Sequence, residues 1–343
     1  MSKVLQVSDD SGTTWYTIPG SDADLNSDGD SVDDTILGQT FSSNITGLIT
    51  WSASGNAYYK GFAGYVADLK KAGTPAAVTG EAMSLVSGKT YKIDTFAKEV
   101  WDRSVTPVIK DNAVTVGAVD IESIDYLFGT VTFVSSYTVT GPVTADITYM
   151  PMAVFGKAQS FSLTQNANAL DTSDYQTVQT NGGFKTFSAG LRTVSLELSN
   201  IFDSSEAWQT ALSARDEIVI EINPDGNGKS VARGFFRQIS TGQSGTVGDN
   251  ELESVSFALS VPESDIVPFG WNHESDTTLA DGIVKTLDAW EGQIDIDVQY
   301  LHDGTNGNSG TAVVTEVSMS SDINGMNEFS VGFNGDGALV AVP

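Results

Sequence analysis

Side-chain oxygens stand at every second position of Asp24-Leu25-Asn26-Ser27-Asp28-Gly29-Asp30. A hard cation such as calcium is held by oxygens alone, and a glycine lets the chain turn sharply around it. Asp24, Asn26, Asp28 and Asp30 are therefore the candidate calcium ligands, and calcium is the one cofactor the residues suggest. The plainer reading is a solvated acidic loop whose charges keep it off its neighbours. Elsewhere the residues argue against chemistry. His273 and His302 are the two histidines. Neither stands in a zinc-binding spacing or near a glycine-rich nucleophile turn. No glycine-rich phosphate loop is present. Acidic residues are so frequent that singling out a glycosidase pair would be arbitrary. An enzyme is not expected.

The aspartate segment is similar to the first seven positions of an EF-hand or dockerin loop, and to thrombospondin type-3 loops, with Asp33 and Asp34 following. It departs from an EF-hand at the twelfth position, where Thr35 replaces the bidentate glutamate. It departs again at the eighth, where Ser31 stands and the apolar Val32 comes one residue late.

Bulk properties narrow the field. The net charge of −27 comes from 44 acidic against 17 basic residues in a chain of 343. Such a surface repels nucleic acid and anionic lipid rather than binding them. There is no cysteine, so disulfides and thiolate metal sites are excluded. No apolar run reaches the length of a membrane helix. The N-terminal MSKVLQVSDDSG lacks the basic flank and apolar core of a signal peptide, so the chain is expected to stay in the cytoplasm where it is made.

The elements that must position these residues repeat. Residues 41–69 echo 184–212 at a constant offset of 143, with Phe41 on Phe184, Gly47-Leu48 on Gly190-Leu191, Thr50 on Thr193, Ser52 on Ser195 and Leu69 on Leu212. Those six identities exceed the roughly two expected by chance, which points to duplication. A second echo, at an offset of 76, sets Ile294-Asp295-Ile296-Asp297-Val298 against Ile218 to Ile222, and Val331 and Phe333 against Val255 and Phe257. The expected fold is mainly β with a few short helices. Residues 1–75 and 276–343 would form one split copy of a β domain, 156–265 a whole copy, and 76–155 a small inserted β-sandwich-like domain; the alternative is that the insertion completes the first copy and 276–343 form a partial third. Apolar spacing predicts helices over 59–71, 205–214 and 279–290. Residues 20–35 read as a polar loop, and Asn223-Pro224-Asp225-Gly226 as a hairpin turn.

In the strand 294–298 apolar and acidic residues alternate, so one face needs cover and the other water. Leu279, Ile283, Leu287 and Trp290 would cover the first. If such sheets join side by side into a ring, Glu221, Asp295 and Asp297 would line its lumen.

At this point the chain resembles the major tail tube proteins of long-tailed bacteriophages. The resemblance rests on Thr40 to Ser42, on Gly47 to Ser52, on Ala289-Trp290 before an alternating strand, and on the closing Phe333-Asn334-Gly335-Asp336-Gly337-Ala338-Leu339. It implies a virion protein of stacked rings, assembled in the host cytoplasm, through which DNA and the tape measure protein pass. It implies as partners further copies of the chain, the tape measure protein, and the tail terminator and tail tip proteins, with no membrane. Two copies per chain would make a trimer with pseudo-six-fold symmetry. Loops at about 20–38 and 240–250 would reach the adjacent ring. The competing expectation is a secreted calcium-binding β-sandwich adhesin or surface-layer protein.

Overall fold

A computed structural model describes residues 3–36, 40–59, 68–154, 158–201, 212–224, 229–245, 251–261, 266–273, 279–323 and 325–343. The fold is mainly β, as the composition suggested. In chain order, β1 (Val4–Ser8) and β2 (Tyr16–Ile18) form a hairpin, and the long strands β3 (Gly20–Asp33) and β4 (Asn44–Tyr58) form another. After β5 (Asp68–Ala72) comes an insertion: β6 (Ala76–Ser87), β7 (Thr90–Ile93), β8 (Val108–Asp111), β9 (Val114–Thr115), β10 (Ile121–Asp125), β11 (Thr130–Phe133) and β12 (Val143–Tyr149). The chain then returns through β13 (Met152–Val154) to β14 (Ala158–Asp171), helix α1 (Tyr175–Thr180) and β15 (Phe187–Ile201). Next are β16 (Glu217–Asn223), β17 (Val231–Ser244), β18 (Leu252–Leu259) and β19 (Phe269–Asn272). Helix α2 (Asp281–Gly292) precedes β20 (Ile296–Leu301), β21 (Gly307–Asp322), β22 (Glu328–Gly335) and β23 (Val340–Val342).

The chain forms two compact units, one of residues 1–66, 160–197 and 275–343, the other of 67–159 and 198–274. The first cut falls before 75 because β5 pairs with β16 and β13 rather than with the first strands. In the first unit the sheet runs β2-β1-β20-β21-β22-β4-β3, with β14 and β23 also paired to β21. In the second it runs β13-β5-β16-β17-β18, with β19 on β17. The insertion is a separate antiparallel sheet of order β10-β11-β7-β6-β12-β8-β9.

Set side by side, the pairings repeat at the offsets of the two sequence echoes. Strands β4 and β15 are both 15 residues long and begin 143 residues apart, at Asn44 and Phe187. Strands β18 and β22 are both 8 residues long and stand 76 apart. The same β-bulge interrupts β17 between Gln238 and Ser240 and β21 between Val314 and Glu316, again 76 apart. At the hairpin tips even the hydrogen bonds repeat. Asp34 N donates to Ser43 O and Thr172 N to Thr186 O, both at 3.0 Å. Ser43 N donates to Thr35 Oγ1 at 2.8 Å, and Thr186 N to Ser173 Oγ at 3.0 Å. The second hairpin is longer at its tip, and the extra length includes α1, capped by Asp174. Hairpin β1–β2 corresponds in pairing to β5 and β13, so the inserted sheet occupies the place of the β1–β2 turn.

One expected helix changes. Residues 60–67 lie outside the described residues, and Asp68–Ala72 is a strand, because its backbone completes the ladder beside β16 and this outweighs the helical spacing of its apolar residues. Residues 212–214 are helical, while 205–211 lie outside the described residues. Helix α2 is present and buries Ile283, Leu287 and Trp290 against β1, β2 and β21. It approaches β2 so closely that a Cβ on Gly282 would stand 2.6 Å from the Thr17 carbonyl oxygen. Trp51 of β4 is seated the same way: its ring fills the space a Cβ on Gly335 would take, and its Nε1 donates to Gly337 O at 2.9 Å.

Candidate functional site

The acidic residue of β16 is not where strand alternation puts it. Val219, Ile220, Glu221, Ile222 and Asn223 are all buried, so this strand has no water-facing side. The cover on the second face comes from the insertion. Val219 of β16 with Val231 and Phe235 of β17 belong to one apolar core with Trp101, Leu127, Val131 and Phe133. Glu221 is therefore corrected from a lumen residue to a buried ion-pair partner. Arg233 Nε donates to Glu221 Oε2 at 2.7 Å and Arg233 Nη1 to Glu99 Oε2 at 2.6 Å and Leu127 O at 2.9 Å. Lys70 Nζ donates to Glu221 Oε1 at 2.8 Å, and Lys92 Nζ lies 3.1 Å from Glu99 Oε1. The Arg233 guanidinium also lies 5.2 Å from the Phe96 and Phe128 ring centres. Burial alone would push the Glu221 carboxyl up, but the charges and hydrogen bonds of Arg233 and Lys70 outweigh it and hold it below the usual value. Beside this cluster Arg103 pairs with Glu217 and stacks 4.5 Å from the Phe235 ring centre. The whole arrangement fixes the inserted sheet to β16 and β17.

Asp295 and Asp297 fare differently. Ile218 pairs with Phe236, and Ile296 pairs with Ala312, which stands 76 residues after Phe236. The two strands therefore correspond at an offset of 78, and Glu221 matches the buried Gln299 rather than Asp297. Asp295 is exposed, just before β20, and partial burial together with the charge of Asp336 pushes its carboxyl up. Asp297 is half-buried and accepts a hydrogen bond from Thr311 Oγ1 at 2.8 Å.

Asp24, Asn26 and Asp28 lie on β3, an extended strand paired with β4 along its length. The alternate spacing that suits a calcium loop instead sets these side chains in a row on one exposed face, about 6.7 Å apart. Asp30 falls at a register shift between Gly29 and Ser31. Lys3 Nζ is 3.4 Å from Asp24 Oδ1, and Lys185 Nζ is 3.9 Å from Asp30 Oδ2. Among the described residues no three His, Cys, Asp or Glu side chains are grouped as a metal ion needs. His302 is exposed at a turn, 4.0 Å from Asp303. His273 is half-buried, its Nδ1 2.8 Å from the Oγ of buried Ser230 and its ring stacked on Trp271. An open, largely apolar cleft of about 450 Å³ in the second unit is lined by Val108, Ile109, Val116, Ile124 and Tyr126, with Glu122 its one ionisable carboxylate.

The feature that sequence reasoning missed is a seam between the two copies. Within the first unit, the edge of β14 from Ser160 to Asn166 pairs residue by residue with β21 from Asp322 to Glu316. Beside it the segment before β15 docks on β4: Ile49 N donates to Gly183 O and Lys185 N to Ile49 O, both at 2.9 Å, with Phe184 alongside Ile49. The seam joins hairpin β14–β15 of one copy to β21 and β4 of the other. The corresponding edges, β3 and the second half of β17, have no ladder partner on that side among the described residues.

No protein-family profile matches the chain, and no curated protein sequence does. Part of the fold is similar to two solved structures. One is a chain from the tail of an empty gene transfer agent particle of C6 symmetry, at 14% identity over 33% of this chain and 84% of that one, with a TM-score of 0.29. The other is a chain from the virion of a native gene transfer agent particle, at 15% identity over 32% of this chain and 85% of that one, with a TM-score of 0.28.

Proposed function

We propose that this chain is a structural protein of a phage-like tail, a tail tube subunit that self-assembles as rings of three chains stacked into a tube. The observation that carries the reading is the repeated unit joined by an edge-to-edge seam, with the equivalent edges open among the described residues. A unit that presents one edge to a copy of itself and receives the other closes a ring by repetition. Two units per chain make three chains equivalent to six positions. The sequence resemblance to tail tube proteins supports the same reading.

The acidic surface has a role in such a tube. DNA passing a wall of like charge finds no binding minimum and slides. Asp295, exposed, and Asp297, half-buried, are the residues we assign to that wall; Glu221 is not. The tape measure protein, the terminator and the tail tip proteins are the further partners this role requires, and the virion tail, built in the host cytoplasm, is its location. The role is structural rather than catalytic. The adhesin alternative is not favoured, since its calcium loop is a strand. Negative-stain microscopy of the concentrated protein tests the proposal: hollow rings or tubes support it, and particles that stay monomeric across salt and concentration contradict it.

A further inference from the structure

We propose that the chains join head to tail by repeating the internal seam between molecules, with β3 of one chain pairing antiparallel to the second half of β17 of the next, Leu25 opposite Gln243. This rests on the ring reading above and names the surface and register that close the ring.

The register follows from the duplication. Residue pairs Asp34–Ser43 and Thr172–Thr186 make the same hairpin hydrogen bond, which sets β3 against β14 at an offset of 138. The shared bulge sets β17 against β21 at 76. In the internal seam Leu163 pairs with Met319, and both are buried. Subtracting the offsets gives Leu25 against Gln243, with Asp28 against Ser240. Leu25 is only half-buried in the free chain, as an apolar residue at an uncovered edge would be.

A second, independent feature points to the same neighbour. Phe184 lies against Ile49 internally. Its counterpart Phe41 is 85% exposed, and the residue it would reach, Arg192, follows Leu191, which is 77% exposed. Repeating the seam carries Phe41 of one chain onto Arg192 of the next, in the same direction as the β3–β17 pairing. The exposed Phe41 is then covered by that contact, as Phe184 is in the internal one.

The hairpin strands of the two seams differ in charge. Ser162 and Asn166 stand on the internal edge where Asp24 and Asp28 stand on the external one. Charged residues on an open strand edge oppose premature pairing. The internal seam is closed and has its carboxylates on β21, at Asp322 and Glu316, while its β14 side is neutral; the external one has aspartates on β3 that slow association until conditions or an assembling tail favour it.

The chain has no cysteine, so a crosslink reports this contact alone. Chains carrying Leu25→Cys and Gln243→Cys, oxidised after assembly, should give covalent dimers and trimers on non-reducing gels. Asp28→Cys with Gln243→Cys, three positions out of register, should give none, since the Cα atoms would lie beyond disulfide reach. Phe41→Asp should leave the melting of the monomer unchanged and abolish rings. Asp24→Ser with Asp28→Asn should lower the concentration for half-assembly roughly two- to tenfold. Rings that form without the in-register crosslink, or that tolerate Phe41→Asp, would overturn this seam while leaving the tube reading intact. Wild-type chains that never assemble would overturn the tube reading itself.

Discussion

Replacing Arg233 with methionine removes the centre of the buried cluster that fixes the inserted sheet. The side chain is 1% exposed and makes three hydrogen bonds, to Glu221, Glu99 and Leu127 O. Breaking a buried pair from one side typically costs about 3–5 kcal/mol, because the partner is left charged and dry. Here each carboxylate keeps a lysine, Lys70 on Glu221 and Lys92 on Glu99, which sets the expectation at the lower end, about 3 kcal/mol. For a cooperative unit of about 150–250 residues that is a fall in Tm of about 6–12 °C. Thermal melts by circular dichroism at pH 7 measure it. Adding Glu221→Gln, Glu99→Gln, Lys70→Met and Lys92→Met to Arg233→Met should recover most of the loss, since no charge of the cluster is then stranded. The pH dependence has a definite sign. Glu221 titrates below its ordinary value, so its contribution is complete above about pH 4.3, the unfolded value, and disappears as the pH falls through the lower folded one. The gap between wild type and variant should be constant from pH 5 upward, on the order of the full loss, and close in acid. A loss under about 1 kcal/mol, or no recovery when the two carboxylates and two lysines are neutralised with Arg233, would refute the electrostatic account and leave only the packing of Phe96 and Phe128 on the guanidinium.

Three further outcomes follow from the same geometry. Glu221→Lys places a cation beside Arg233 and Lys70 and should prevent folding, whereas Asp295→Lys, at an exposed position, should leave the melting curve within about 0.5 kcal/mol of wild type; in a phage particle Asp295→Lys should slow DNA ejection. Calcium added or chelated should leave Tm unchanged, because Asp24, Asn26 and Asp28 lie in a row along a strand; a rise of several degrees would restore the calcium site. Gly282→Ala should destabilise by about 1–3 kcal/mol despite the better helix propensity of alanine, since its Cβ meets the Thr17 carbonyl, and urea unfolding would show whether α2 instead moves away without cost.

Much of the fold was legible in the sequence where burial repeats faithfully. The echo at 143 survives as two strands of identical length because both copies bury the same alternate residues of β4 and β15. The echo at 76 held for β18 and β22 but misled at β20, where the turn after the strand differs and the true offset is 78. Strand β3 was unreadable: only Ala23 and Leu25 of its residues 22–28 are apolar, and polar composition read as loop. It is a strand because β4 offers it a ladder. Glu221 was misplaced for a related reason. Alternation assumes one wet face, and nothing local to Ile218–Ile222 announces that the insertion covers the other. The signal lay in Arg233, across the hairpin from Glu221, and in Lys70, far off in sequence, two of few basic residues in so acidic a chain. The open edges were invisible until the closed seam between β14 and β21 gave them a template.

The most direct test of the account is the number of chains in one ring, counted by native mass spectrometry of the assembled protein with its rotational symmetry read from electron micrographs. The account predicts three chains in a ring whose projection shows six similar lobes. A ring of six chains with twelve lobes, or of one chain per lobe, would show that the two copies do not stand in for two ring positions, and the seam derived from them would fall with it.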